Sequence, residues 1–360
     1  SSSFVNFNQK ISFLFDGKKI FFFFLDTIAS ALLRNNINLV GRSFKYHRPR
    51  GIYTCGIEEP NALVQIISEY SEPNTRATIK KIYEGMEVES QNRWPSLDND
   101  IGSINSLFSP LFSAGFYYKT FMGPHKSFWK KIYEPIIRRA AGLGKPPKEF
   151  KALSSHLHHN VDIVIVGAGL NGLLAAKSLI NTNHDILLVD FDNHLGGIIN
   201  NSAKILSIDN QSPQEWVKST VEAIEKSKNI KILKNTLVTT YNYINHLIAV
   251  EDKHVGSRPS ENKVNNILHK MRTNHVILCN GHIERFLSFQ NNDLPGIMLA
   301  SSFEKYICRY GTLPSKEPVI FSNNSNSNSL IYSIINQGYK PKAYIDSRSG
   351  ENIEPELFDL

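Results

Sequence analysis

Apolar and polar positions divide this chain into a β-rich start, an irregular middle and a long stretch where strands and helices alternate. Two strand-like runs, residues 11–15 and 19–24, flank Asp16-Gly17, the dipeptide that favours a two-residue β-hairpin turn. Residues 27–35 place Ile28, Leu32 and Leu33 on one helical face, with Asp26 positioned to cap the helix. A loop then leads to a further strand at 61–67. Residues 71–160 mix short helical patterns with Pro and Gly breaks. Within them, 127–141 carries Phe128, Ile132, Ile136 and Ile137 at helical spacing, interrupted at Pro135, and Lys145-Pro146-Pro147-Lys148 reads as a linker. The basic cluster Lys130, Lys131, Arg138 and Arg139 reads as the solvated or subunit-facing side of that helix.

From residue 161 the period changes. Ile163-Val164-Ile165-Val166 is a continuous apolar run, as in a parallel strand covered on both faces. Gly167-Ala168-Gly169-Leu170-Asn171-Gly172 and a helical pattern follow it directly. In this strand–turn–helix context, Gly167 permits the tight turn, Gly169 lets the backbone approach a pyrophosphate, and Gly172 lets the helix pack on the strand. The helix N-terminus supplies free N–H groups and a partial positive charge. A second strand, 185–189, ends in Asp190, roughly 20 residues past the glycines, where the dinucleotide fingerprint places a ribose partner. The pair Gly196-Gly197 follows. The alternative, a glycine-tolerant turn with no ligand, must explain why strand, glycines, helix, strand and acid all fall in register.

Further on, Pro213–Lys226 reads as a helix with Trp216, Val217, Val221 and Ile224 inward, and Ile230–Leu233 as the next strand. Residues 241–270 alternate like a β-meander with a polar loop at 256–262, and 275–278 reads as a separate buried strand leading to Gly281. A last strand–helix–strand spans 318–346, but its turn, Ser322-Asn323-Asn324-Ser325-Asn326-Ser327-Asn328, has no glycine. Side-chain-bearing residues keep backbone N–H groups away from a pyrophosphate, so one dinucleotide is expected, not two.

Composition adds limits. The 360 residues are 41% hydrophobic and 20% charged, with a net charge of +7, ordinary for a globular chain of two or three domains. No apolar run approaches the ~20 residues needed to span a bilayer, and no segment has signal-peptide form. Cys55, Cys279 and Cys308 form neither a CxxC nor an even framework, which points to a reduced cytoplasmic setting. Cys279 reads as a buried small residue. His156, His158 and His159 have no Cys, Asp or Glu at ligand spacing, so no metal site is expected. The chain starts without methionine and stops just past a βαβ-like unit, so a piece of a longer polypeptide is expected.

Hairpin, helix, loop and strand is the order of the β-grasp domain of plant-type ferredoxins, in which the loop after the helix carries cluster cysteines. Here that loop holds one, Cys55, which excludes an iron–sulfur cluster on ligand count. It also carries Arg42, Lys45, His47, Arg48 and Arg50 among Phe44 and Tyr46. Two readings stand open: a grip on an anionic cofactor tail or acidic partner, or a solvated loop paired with Glu58 and Glu59. Nothing extends the patch far enough for nucleic acid.

The loop GRSFKYHRPRG, with EEPNAL after it, resembles the N-terminal domain of the alpha subunit of heterotetrameric sarcosine oxidase. So do GFYYKTFM (115–122), YEPIIRRAAGLG (133–144), the glycine turn, and NNDLPGIMLA (291–300). The resemblance covers nearly the whole chain. It implies an α/β fold: a β-grasp domain without a cluster (5–100), a connector (101–160), and a Rossmann-type, two-dinucleotide-binding-domain FAD/NAD(P) unit (161–360), incomplete at its C-terminus. It further implies oxidative demethylation of sarcosine with O₂ and tetrahydrofolate, giving glycine, 5,10-methylenetetrahydrofolate and H₂O₂. FAD and FMN are expected in the beta subunit, gamma and delta subunits as further partners, and tetrahydrofolate in a C-terminal part absent here. No catalytic residue is expected in this chain. NAD, with FAD as alternative, is expected on Gly167, Gly169, Leu170, Asn171, Gly172, Asp190, Phe191, Gly196, Gly197, Val238 and Gly281. A related opine-oxidase or cyanide-synthase subunit, or a non-catalytic scaffold, is the alternative.

Overall fold

The computed structural model describes residues 5–67, 71–107, 125–135, 144, 153–201, 207–260 and 262–348. Strands β1 (Asn6–Phe15) and β2 (Lys18–Phe24) pair antiparallel through a turn in which Asp16 and Gly17 both have positive φ, +48° and +75°. That is what a type I′ hairpin demands. Phe13, Phe15, Ile20 and Phe22 all point inward and are buried, as the two-residue strand period predicts. Helix α1 (Ile28–Arg34) follows, and here the expected cap is corrected. Thr27, not Asp26, is the N-cap: its hydroxyl accepts from the Ser30 N–H at 3.2 Å, and the Ser30 hydroxyl accepts from the Thr27 N–H at 2.9 Å. Asp26 lies one residue too early and is instead fully buried, accepting from the Ser30 hydroxyl at 2.7 Å. Thr27→Ala should cost about 1 kcal/mol, visible as a lowered urea midpoint.

The basic loop forms a two-stranded ribbon, β3 (Gly41–Arg42) with β4 (Pro49–Arg50). Strands β5 (Leu63–Ile67), β6 (Glu72–Arg76) and β7 (Glu87–Ser90) complete a five-stranded sheet in the order β2-β1-β7-β5-β6. Strand β7 runs parallel to β1, and α1 shares the buried core of this sheet, the expected β-grasp arrangement.

The second sheet is six-stranded, in the order β10-β9-β8-β13-β12-β11. Its members are β8 (Leu153–Val166), β9 (Ile186–Val189), β10 (Ile230–Leu233), β11 (Thr236–Asn242), β12 (His246–Asp252) and β13 (Val264–Leu278). Strands β10, β9, β8 and β13 are parallel; β13, β12 and β11 form the antiparallel meander. Two strands are longer than their apolar runs suggest. The histidines at 156, 158 and 159 lie within β8, not before it, and the expected strand at 275–278 is the end of the meander's last strand. Strands β8 and β13 template each other: Leu153 pairs with Val264 and Val166 with Leu278, so ladder hydrogen bonds carry polar stretches that side-chain pattern alone would end.

Helices α2 (Leu170–Ser178) and α3 (Pro213–Lys226) pack on this sheet through Leu173, Trp216 and Ile224. Ser212 and Glu215 form a capping box at α3, with Pro213 in its first turn. Helix α4 (Ala300–Tyr310) links the two halves. Tyr306 and Tyr310 enter the β-grasp core, while Phe303 and Ile307 pack with the last unit, β14 (Val319–Ser322), α5 (Asn328–Asn336) and β15 (Ala343–Asp346). Strands β14 and β15 are parallel, as expected for strand–helix–strand.

Of the expected helix at 127–141, the described part is one turn over Lys126–Phe128 and a π-helical turn over Trp129–Tyr133, with Phe128 and Ile132 exposed. Residues 115–122, 136–143 and the linker at 145–148 lie outside the described residues. Among those described, no helix is long and apolar enough to cross a membrane.

Candidate functional site

Strands β8, β9 and β13 end together, with Val166 between Val189 and Leu278. The crevice beyond such strand ends is where open α/β sheets bind ligands. Gly167 turns the chain there at φ +98°, and a Cβ on it would lie 2.4 Å from the Cys279 carbonyl oxygen. A Cβ on Gly172 would lie 1.8 Å from the Gly167 carbonyl oxygen. Both glycines are therefore required by the protein's own packing.

Gly169 differs. Its backbone is ordinary, φ −73° and ψ −168°, and a Cβ on it would have Gly197 Cα, 4.0 Å away, as its nearest neighbour. The fold does not require glycine here; a group brought into the open space beside it would. Gly169 is also the N-cap of α2, where it makes no side-chain cap, and Leu170 and Asn171 follow in the first turn. Their N–H groups have no intrahelical acceptor and suit an anion.

The loop after β9 closes over this turn. The Gly196 N–H donates to the Ala168 carbonyl at 2.8 Å, and Gly196 and Gly197 take φ of +120° and +56°. The Asp190 carboxylate accepts from the Ala168 N–H at 2.6 Å and the Asp192 N–H at 2.8 Å, one on each oxygen. Burial pushes its carboxyl up, and the two amides oppose that. A carboxylate has about four lone-pair positions, so each oxygen keeps room for one hydroxyl donor. Phe191, 41% exposed, follows Asp190; Val238 sits half-buried on β11 against the core beneath the sheet. Gly281, at φ +72° with open space around it, follows β13. The structure thus gathers the glycine turn and Asp190 at the C-terminal ends of adjacent parallel strands. Cys279 borders it with its thiol pushed up by burial, consistent with a protonated packing residue.

Immediately beside Asp190 lies a feature that no sequence motif signals. Asp192 forms a two-pronged ion pair with Arg309 of α4, across the junction with the β-grasp domain. Arg309 holds the Asp192 carboxyl down at about 2 against the opposing effect of burial, which is the largest influence on it. The pair borders a cavity of about 250 Å³ that Lys81 also lines. These residues are far apart in sequence and met only on folding.

The basic loop is occupied by its own chain. Arg42 donates to the carbonyls of Leu97 (3.0 Å) and His47 (3.1 Å), and His47 Nδ1 lies 2.6 Å from Asp100. Arg48 grips Asp293 with two bonds of 2.8 Å, and Arg50 binds the same carboxylate. Glu59 does not pair with these arginines. Buried, it accepts from the N–H groups of Tyr53, Thr54, Asn61 and Ala62 and from the Thr54 hydroxyl, at 2.6–3.0 Å. Asp293→Ala should cost roughly 1–2 kcal/mol, less at high salt, because both arginine partners are partly exposed. Melting curves in low and high salt check this.

Two family models match: a 2Fe-2S iron-sulfur cluster binding domain over residues 8–93 and an NAD(P)-binding Rossmann-like domain over 165–221. The sarcosine oxidase subunit alpha of Rhizobium meliloti (strain 1021) is 41% identical over 356 residues, 96% of this chain and 35% of the relative. That of Corynebacterium sp. (strain P-1) is 28% identical over 340 residues, 93% of this chain and 30% of the relative. The chain matches sarcosine oxidase alpha subunits along nearly its whole length. It spans about a third of the length of these curated relatives. The crystal structure of L-proline dehydrogenase from P. horikoshii shares the fold, with a TM-score of 0.62 at 18% identity over 94% of this chain and 53% of that one. A ferredoxin-like domain followed by a dinucleotide-binding fold of NAD(P)/FAD type is thus present, in a chain whose relatives are oxidoreductase subunits.

The residues fit a dinucleotide but not a cluster. Residues 8–93 contain one cysteine, Cys55, which is 3% exposed, with its thiol pushed up by burial. The loop that would wrap a cluster turns its N–H groups onto the Glu59 carboxylate instead.

Proposed function

We propose that this chain is the nucleotide-holding part of an alpha subunit in a sarcosine-oxidising complex, and that its dinucleotide is NAD. The observation that carries the nucleotide assignment is Gly169, whose missing side chain serves no packing need of the fold. In this reading Gly169, Leu170 and Asn171 face the pyrophosphate, and Gly167 and Gly172 hold the turn in place. The two remaining lone pairs of Asp190 take the ribose hydroxyls, which disfavours a 2′-phosphate. Phe191, Gly196, Gly197, Val238 and Gly281 frame the site. The similarity to named sarcosine oxidase alpha subunits supports the complex.

Oxidation of sarcosine, with O₂ and tetrahydrofolate giving glycine, 5,10-methylenetetrahydrofolate and H₂O₂, is assigned to the assembled enzyme in the cytoplasm. The flavins that supply that redox chemistry are assigned to the beta subunit, folate to a C-terminal part beyond this chain, and gamma and delta subunits complete the assembly. No residue of this chain is proposed to act on the amine. Reconstituting the complex and following peroxide with sarcosine, proline and octopine tests the reading. Turnover of sarcosine is expected. Turnover of octopine with none of sarcosine would replace it with an opine-oxidising subunit.

A further inference from the structure

The cavity beside Asp192 is built differently from the nucleotide crevice. Apolar side chains such as Leu25 and Leu237 line it together with Lys81 and Lys305 and the carboxylates of Asp192 and Asp252. Arg309 is already matched to Asp192. Among the described residues Lys81 has no carboxylate in direct contact, and Asp192 and Asp26 act on it only from a distance. Its ammonium donates to the Leu25 carbonyl at 2.9 Å and approaches the Tyr310 hydroxyl at 3.4 Å and the Tyr310 ring at 4.8 Å, all neutral partners. Lys305 makes no hydrogen bond or ion pair among the described residues. An ammonium taken out of water without an anion in direct contact is costly, so such a group leaves room for a closer counter-charge.

We propose that this interdomain cavity is a second ligand site, for a small organic anion whose apolar body fills the walls and whose carboxylate or phosphate pairs with Lys81 and Lys305. It lies between the β-grasp domain and the loop after the ribose acid; Phe191 borders both it and the nucleotide crevice, while Lys81 and Lys305 belong to no nucleotide fingerprint. Burial supports the same picture, pulling the Lys81 pKa down to about 8, with Arg309 adding to the effect and Asp192, Cys55 and Asp26 opposing it. Burial also keeps the Cys55 thiol and Tyr310 phenol protonated near pH 8, and His194 neutral there, so titration of these wall groups leaves the change to Lys81.

Calorimetric titration of the purified chain with benzoate, benzamide and inorganic phosphate tests the proposal. Benzoate is expected to bind with one-to-one stoichiometry, benzamide and phosphate at least about tenfold more weakly, because one lacks the charge and the other the apolar body. Benzoate affinity should fall about tenfold between pH 7 and pH 9 as the protonated fraction of Lys81 drops. Lys81→Met should weaken benzoate and remove this pH dependence. If that variant does not fold, the wild-type pH comparison and Lys305→Ala, expected to weaken benzoate without lowering the melting temperature, decide the matter. Benzamide binding as tightly as benzoate, or no benzoate binding, overturns the proposal. Saturating NAD should leave benzoate binding unchanged; loss of it would make the cavity part of the nucleotide site and overturn a separate one.

Discussion

Gly169→Val is expected to leave the fold intact and to abolish dinucleotide retention. The backbone at 169 is extended, which valine adopts freely, and its Cβ meets nothing closer than 4.0 Å. The added methyls enter the space above the first turn of α2, where a pyrophosphate has to approach. A loss of at least about 100-fold in affinity, roughly 2.7 kcal/mol, is expected. Gly167→Ala is the contrast. Its φ of +98° strains any side chain, and its Cβ falls 2.4 Å from the Cys279 carbonyl oxygen. Strain of about 1–2 kcal/mol and overpacking of about 1–3 kcal/mol add, so this variant should lose several kcal/mol of stability as well as nucleotide. Urea unfolding beside the 260/280 nm absorbance ratio separates the two. A destabilised Gly169→Val, or one that still carries nucleotide, would show that the glycine serves packing.

The second large effect lies at the junction of the two halves. Asp192→Asn should destabilise the protein by about 3–5 kcal/mol, because it leaves the Arg309 charge buried near Lys81 with no carboxylate. The side chains of Arg309 and Asp192 are only 8% and 13% exposed, so solvent screens the pair little. Arg309→Met in the same background should recover part of the loss, since the two residues couple. The pair also sets an acid limit. The folded-state pKa of Asp192, about 2, lies below its unfolded value of about 3.9. Its contribution is therefore fully present above pH 4 and is lost as pH falls through about 2. Acid unfolding of the wild type should show this window and Asp192→Asn should lack it. Additive single and double variants would argue against a direct pair.

Local chemistry made much of this architecture legible before folding is considered. Asp16-Gly17 specifies a turn with two positive φ values, and Pro213 with Glu215 marks the start of α3; both lie in the described positions. The glycine turn was legible because its three glycines have separate physical reasons, of which two are internal clashes and one is open space. Long-range pairing was not legible. The polar half of β8 is a strand because β13 lies alongside it, and Arg309 and Asp192 are 117 positions apart. The partner of the basic loop was hidden for the same reason: Arg48 and Arg50 face Asp293, more than two hundred residues away. Asp26 shows the limit of local rules. A one-residue shift moved the cap to Thr27 and left a carboxylate to be buried beside Ser30 and Arg34.

We propose that this chain seats one dinucleotide, NAD, in the crevice formed by Gly169 and Asp190, leaving amine chemistry to its partners. The most direct measurement is the absorbance and mass of the nucleotide released when the purified chain is denatured. A colourless protein releasing NAD in a one-to-one ratio is the predicted result. A yellow protein releasing FAD, or one releasing no nucleotide and binding none, would contradict it.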